Sequence, residues 1–482
     1  MIAVGFIMPR LINDQLGQSQ LGVWDFCWSI VNYISLAELG MGSSVSRFVA
    51  VAVTKNDQRM LRETINSILF SQVALMSVAG LLICAVFFLN HDQLLTIIPE
   101  NADGALSVLF ILSAAVVYQL ICSSSRGIMN GLHRWDLTNI INTAGRIISS
   151  IAMIAALLIG DGLESIALAY LITTMAAESF RFFYAFRLAD GLVIHPRYFK
   201  IRTAMRMAKF GLGQFLFEGL PVFFTQAFNI IIMGLLGPAS LAVFARTFAL
   251  VKYIEMFVSR FSRIIVPSIA SLSTTKDTAE VQDLFLKCTK FSLAITIPCL
   301  ILNCLFGPTL IRLWMGEDYV NMALIYTLSL GYILPVAMST SMNVLIGLNK
   351  HIFPTIINAI ILSSGIGVCL MFVDKPAASL SLISLYVSLT LIFSYGVFTP
   401  VYCSRALAIS PARLMRSAFK TPLLCNIPLI LFFIYSAGAI KTDTIHIALL
   451  TISILLTAGV YWVYIMPNKI KNRLYKLRTN KA

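Results

Sequence analysis

Apolar residues in this chain run in nearly unbroken blocks of about 20, the length that carries an α-helix across about 30 Å of hydrocarbon. Charge, Gly or Pro closes each block. Blocks near 1–12, 20–40, 65–89, 105–122, 137–160 and 163–187 form a first set, and blocks near 210–235, 240–262, 285–307, 321–347, 354–373 and 377–403 a second; a final pair covers 421–440 and 444–466. The pattern predicts an all-α polytopic membrane protein of about 14 transmembrane helices, built as two pseudo-symmetric six-helix bundles plus two C-terminal helices. The expected division is an N-terminal bundle over 1–188, a basic cytoplasmic linker over 189–209 that contains Pro196, a second bundle over 210–403, two extra transmembrane helices over 404–466 and a basic cytoplasmic tail over 467–482.

An internal repeat supports two halves, and repeats set an architecture before any local reading does. LGQSQLGVWDFCWSIVNYI (16–34) aligns without gaps to LGPASLAVFARTFALVKYI (236–254) at an offset of 220, pairing Gly17 with Gly237 and Tyr33 with Tyr253. GLHRWDLTNIIN from Gly131 aligns to GLNKHIFPTIIN from Gly347 at an offset of 216. Six helices per repeat give the halves one orientation, related by an axis along the membrane normal with substrate passing between them. At the same offset Met1 corresponds to Pro221, so the first helix as written is expected to be incomplete. No signal peptide is expected, because MIAVGFIMPR shows neither a basic n-region nor a cleavage site.

Composition agrees with lipid as the solvent: 58% of the 482 residues are hydrophobic and 12% charged, and mean hydropathy is +0.84. A soluble globular enzyme is excluded. The net charge of +14 comes from 36 Lys and Arg against 22 Asp and Glu. These bases lie in short segments between apolar runs rather than on one solvated face, which sets nucleic acid aside as a partner. Counted on alternate connections, 28 bases fall on one side and four (Arg10, Arg312, Lys375 and Lys441) on the other, so the first side and both termini are expected to be cytoplasmic. The nine cysteines include no CxxC pair and mostly lie inside apolar runs; they read as packing residues, with no disulfide framework, metal site or cofactor implied.

Three passages, MPRLINDQLGQSQLGVW (8–24), AELGMGSSVSRFVA (37–50) and GLHRWDLTNIIN, resemble the polysaccharide (O-antigen, Wzx-type) flippases of the multidrug/oligosaccharidyl-lipid/polysaccharide exporter superfamily. The inferred spans, the six-plus-six repeat and the basic mid-chain linker extend the likeness along essentially the whole chain. The resemblance implies a multi-pass protein of the cell inner membrane that flips an undecaprenyl-pyrophosphate-linked oligosaccharide to the periplasmic leaflet by alternating access, for O-antigen, lipopolysaccharide or exopolysaccharide synthesis. No covalent chemistry is required. Its partners would be the lipid-linked oligosaccharide and membrane lipids, with a polysaccharide polymerase and a chain-length regulator beside them.

A charge at the hydrocarbon centre costs about 2.5–3.5 kcal/mol on insertion scales, so ionisable residues inside spans should face a wet cavity or one another. A pyrophosphate calls for Arg or Lys, with Arg favoured for forked contacts. Arg146 and Arg246 lie well inside their blocks with no acid within four residues, and are expected to line the cavity with Arg10, Arg47 and Lys252. Lys252 and Glu255, like Glu178 and Arg181, are three apart and share a helical face, where an ion-coupling role competes with simple pairing. Glu218, three residues before Pro221, is a further coupling or pairing candidate. Trp24, Trp28, Tyr33 and Tyr253 could pack against sugar faces or anchor at the interface.

A cation-coupled multidrug exporter of the same superfamily is the alternative transporter, expected to rely on cavity acids. A membrane polysaccharide polymerase is the alternative enzyme; the longest expected outer connection, about 15 residues near 90–104, is short for a catalytic loop.

Overall fold

In the computed structural model the described residues are 2–38, 40–89, 104–160, 162–189, 194–263, 265–275, 278–372, 379–436 and 444–464. Every regular element among them is helical. Within the described residues each of the fourteen apolar blocks falls mostly on helix, and ten helices there are long and apolar enough to cross a membrane. The basic tail 467–482 and the side chain of Glu218 lie outside the described residues.

Two helices appear where the sequence predicted connections. Helix α3 (Met41–Thr54) precedes the long α4 (Gln58–Leu89), and Ile265–Thr275 follows the 63-residue helix Ile201–Arg263. Both are shorter than a span, so a 20-residue apolar window passes over them.

The repeat in sequence is a repeat in backbone. Gly17, between α1 (Ile2–Leu16) and α2 (Gln18–Ser35), has φ 87° and ψ 170°. Its counterpart Gly237 has φ 80° and ψ 178° and breaks Ile201–Arg263 just before Pro238. Side chains rarely adopt that conformation, which explains Gly at both positions. A second pair of breaks lies at Cys122 (φ −85°, ψ −5°), between α5 (Ala105–Ile121) and α6 (Ser123–Gly131), and at Met338 (φ −86°, ψ 0°), between Met322–Ala337 and Ser339–Gly347. The offset is again 216. Serine or threonine occupies the three positions after each break, Ser123–Ser125 and 339–341.

Packing at these breaks repeats as well. In the first unit α6 lies against α3; a Cβ on Gly131 would stand 2.6 Å from the Val49 Cβ and 2.9 Å from the Ser46 carbonyl oxygen. In the second unit a Cβ on Gly347 would stand 2.9 Å from the Ile269 Cβ and 3.2 Å from the Val266 carbonyl oxygen. Glycine lets the two backbones approach, the usual device where lipid supplies no hydrophobic drive between helices.

The chain forms two compact units, 1–242 and 243–482. Residues 201–242 pack with the first unit. The reason is local bonding. His195 N–H donates to the Asn66 Oδ1 at 2.8 Å, Lys200 N–H to the Ser67 Oγ at 2.9 Å, and the Phe199 ring meets Phe70 edge-on. Farther along, Tyr33 donates to the Phe223 carbonyl at 2.9 Å and Asn229 to the Ser29 Oγ at 3.0 Å. Gly22 and Gly40 lie directly against the carbonyls of Pro238 and Gly211. A core of Leu293, Ile297, Ile301, Leu305, Leu429 and Phe432 anchors the second unit.

Gly131→Ala is expected to lower stability by about 1–3 kcal/mol through overpacking against Val49. Gly234→Ala, where a Cβ meets nothing within 4 Å, should be neutral or stabilising by up to about 1 kcal/mol. Thermal melts of the two purified variants compare them.

Candidate functional site

Helix α7 (Trp135–Ile159) has three faces. One packs on α8 (Leu163–Leu188). A second, Ile140, Ile147, Ile151 and Leu158, is between 52% and 63% exposed, the composition of a surface in contact with acyl chains. The third is polar: Asn139, Thr143, Arg146 and Ser150, spaced four, three and four residues apart, form one stripe along the helix. Asn139, Thr143 and Arg146 are exposed from their unit, and Arg146 is the twelfth residue of 25, near mid-length. One helix thus presents an oily face and, about a quarter-turn away, a face of amides, hydroxyls and a guanidinium.

Aromatic rings adjoin this stripe. Tyr170 stands on the neighbouring α8. Tyr170 meets Trp28 of α2 edge-to-face with centroids 5.1 Å apart, and Trp28 meets Trp24 at 6.0 Å. Of these rings Trp24 is buried, whereas Trp28 and Tyr170 are half-buried. A guanidinium, amides, hydroxyls and ring faces are the groups that bind oxyanions and sugars.

Glu178 and Arg181 are different in kind. They form an ion pair with side chains 7% and 3% exposed. Arg181 also donates its Nη1 to the Asn142 Oδ1 at 2.7 Å and its Nε to the Ser125 Oγ at 3.2 Å. Gln72 donates to Ser123 beside it. This buried layer ties α4, the break between α5 and α6, α7 and α8 together, and Asn142 sits one turn before Arg146. Asn142, Gln72 and Ser123–Ser125 escaped the sequence reading, because uncharged polar residues inside an apolar block look like tolerated packing; the run of three hydroxyls next to Arg126 was the available signal.

The other expected cavity bases occupy separate settings. Arg10 bonds Asp14 one turn on at 2.7 Å, both 42% exposed. Arg47 on α3 is exposed and lies over the Phe210 ring with 4.5 Å to its centroid. Arg246, in the second unit, is 6% exposed. Lys252 pairs with Glu255 at 2.7 Å, both about one-third exposed, and stands 5.3 and 5.8 Å from the ring centroids of Phe248 and Tyr332. Within the first unit Arg146 alone of these bases faces outward from the middle of a membrane-length helix. No cluster of three or more metal-ligating side chains occurs among the described residues.

Comparison with known proteins agrees with this architecture. A family model described as "Polysaccharide biosynthesis protein" matches residues 61–324. The "Uncharacterized membrane protein EpsK" of Bacillus subtilis (strain 168) is 22% identical over 412 residues, covering 83% of this chain and 79% of EpsK. Among solved structures, the lipid II flippase MurJ in an inward closed conformation superposes with TM-score 0.70 at 15% identity, covering 96% of this chain and 95% of MurJ. An inward-facing multidrug resistance MATE family transporter of the MOP superfamily also gives TM-score 0.70 at 15% identity, covering 85% of this chain and 96% of that one. The two likenesses establish the fold, and because the family model spans more than half of the sequence, the chain belongs to the polysaccharide biosynthesis protein family.

Proposed function

We propose that the protein translocates an undecaprenyl-pyrophosphate-linked oligosaccharide from the cytoplasmic to the periplasmic leaflet of the inner membrane by alternating access, with both termini cytoplasmic. The observation that carries this reading is the stripe of Asn139, Thr143, Arg146 and Ser150 on a membrane-length helix. A lipid-facing guanidinium at that depth is penalised by about 2.5–3.5 kcal/mol, so the stripe belongs to a water-filled path. Arg146 would then hold the pyrophosphate through charge-assisted hydrogen bonds, while the amides and the ring faces of Tyr170 and Trp28 would meet the sugars.

The second unit holds an apolar cavity of its own. Between the helices Thr278–Met315, Lys420–Tyr435 and Thr444–Tyr464 lies a cavity of about 480 Å³ lined by Phe291, Leu302, Leu429 and Ile454. Tyr461 lines it too, but its hydroxyl is committed to the Ala294 carbonyl at 2.6 Å, which leaves the ring to the cavity. An acyl or prenyl chain suits such a lining. Organic-cation export is less well served: Glu178 and Glu255 are each held by a base.

In cells lacking the protein, lipid-linked oligosaccharide should accumulate on the cytoplasmic leaflet. Arg146→Ala should cut export about tenfold or more, the loss of one hydrogen bond to a charged group, with Arg146→Lys intermediate and Ile147→Ala unaffected. Normal export in the deletion strain overturns the function, and normal export with Arg146→Ala overturns the site.

Arg181→Ala is expected to act through folding, since it strands Glu178 in a dry core at about 3–5 kcal/mol. The double substitution Glu178→Gln with Arg181→Gln should recover most of the melting temperature and the export. A folded, thermally normal Arg181→Ala protein that fails to export would move the pair from scaffold to transport path.

A further inference from the structure

The first unit holds a second polar feature, remote in kind from the α7 stripe. Where the start of α4 meets the start of the helix Ile201–Arg263, a cavity of about 320 Å³ is lined by Arg59, Lys200 and Arg206 together with Asp57 and Glu63. Both carboxylates are already engaged. Asp57 accepts the Met60 N–H at 2.9 Å and so caps α4. Glu63 accepts from Arg59 at 3.1 Å and from Lys200 at 2.5 Å.

Cationic donor capacity remains. Among the described residues Arg206 is matched to no carboxylate, and Arg59, whose side chain is 82% exposed, uses only its Nε toward Glu63. Thr64 and Thr203 contribute hydroxyls to the same wall. Two helices also begin here, so the positive ends of their dipoles point the same way as the bases. The arrangement favours a compact anion with several oxygens.

The surroundings say where that anion comes from. Arg59 lies in the first turn of a membrane-length helix beginning at Gln58, the end that a lipid headgroup would meet. Beside Arg206, Ile201 and Met205 are 58% and 60% exposed and one turn apart. Exposed apolar residues next to a basic cavity suit a molecule that brings its own acyl chains. Basic pockets between helices at the cytoplasmic surface are a recurrent form of headgroup site, and the charge bias along this chain assigns this side to the cytoplasm.

We infer that this cavity binds the phosphate of an anionic phospholipid. The bound phosphate would join α4, through Arg59, to the helix Ile201–Arg263, through Arg206, adding to the Glu63–Lys200 ion pair and to the strap formed by residues 194–200. The site is independent of the transported substrate.

The test uses the full-length purified protein in mixed micelles, with dioleoylphosphatidylglycerol, dioleoylphosphatidylcholine and inorganic phosphate as probes and binding read by native mass spectrometry and thermal melts. The wild type should bind phosphatidylglycerol at least tenfold more tightly than phosphatidylcholine. Arg206→Gln, on an exposed residue whose loss leaves folding intact, should weaken phosphatidylglycerol binding about fivefold, the effect of one base near a membrane surface. Lys200→Gln should do the same and also lower the melting temperature, whereas Lys287→Gln, at a surface pair with Asp283 in the other unit, should leave binding unchanged. Equal binding of the two lipids overturns the inference, as does unchanged phosphatidylglycerol binding in both Arg206→Gln and Lys200→Gln. Full displacement of phosphatidylglycerol by millimolar inorganic phosphate would make this a site for soluble phosphate and overturn it equally.

Discussion

Hydrocarbon cannot solvate a charge or an unsatisfied amide, and this single constraint arranges the molecule. It forces the backbone into helix throughout the described spans, and it requires every polar side chain at membrane depth to be paired, hydrogen-bonded or wet. The buried Glu178–Arg181 pair meets the requirement by neutralisation, with Asn142 and Ser125 absorbing the remaining donors of the guanidinium. Arg146 has no comparable enclosure, so water or substrate must provide it. The same rule that encloses one arginine in bonds makes another, 35 residues away in sequence on the neighbouring helix, a candidate for recognition.

Repetition supplies the second ordering principle. Gly17 and Gly237 take nearly the same left-handed conformation, Cys122 and Met338 the same helix break, and Gly131 and Gly347 the same close approach. The halves differ in what surrounds the hydroxyl triplets after the breaks. In the first unit Ser125 faces Arg181 and Ser123 faces Gln72; in the second, Thr340 bonds Ser292 at 3.1 Å and Ser292 bonds Ser262 at 3.1 Å. A duplicated frame thus carries charge in one unit and neutral hydroxyls in the other.

The helical class and the position of nearly every helix were legible in the sequence, because a 20-residue apolar block has one physical solution in lipid. The i,i+3 pairs Glu178–Arg181 and Lys252–Glu255 were legible too, since helix geometry alone brings them together. The i,i+4 pair of Arg10 with Asp14 was readable in the same way. What the sequence hid is tertiary. Nothing local announces that Phe210 lies under Arg47, that Asn142 reaches Arg181, or that residues 201–242 pack with the first unit. The breaks at Cys122 and Met338 were hidden for another reason: neither has Gly or Pro at the break to mark it.

The central claim is that the polar stripe of α7 faces water within the membrane while the stripe of Ile140, Ile147 and Ile151 faces lipid. Single cysteines placed at Asn139, Thr143, Ser150, Ile140, Ile147 and Ile151 in a background free of the nine natural cysteines, then exposed in intact membranes to a membrane-impermeant maleimide, measure this directly. The account predicts modification at Asn139, Thr143 and Ser150 and protection at the three isoleucine positions. Equal protection of both stripes, or labelling confined to the isoleucines, would contradict it.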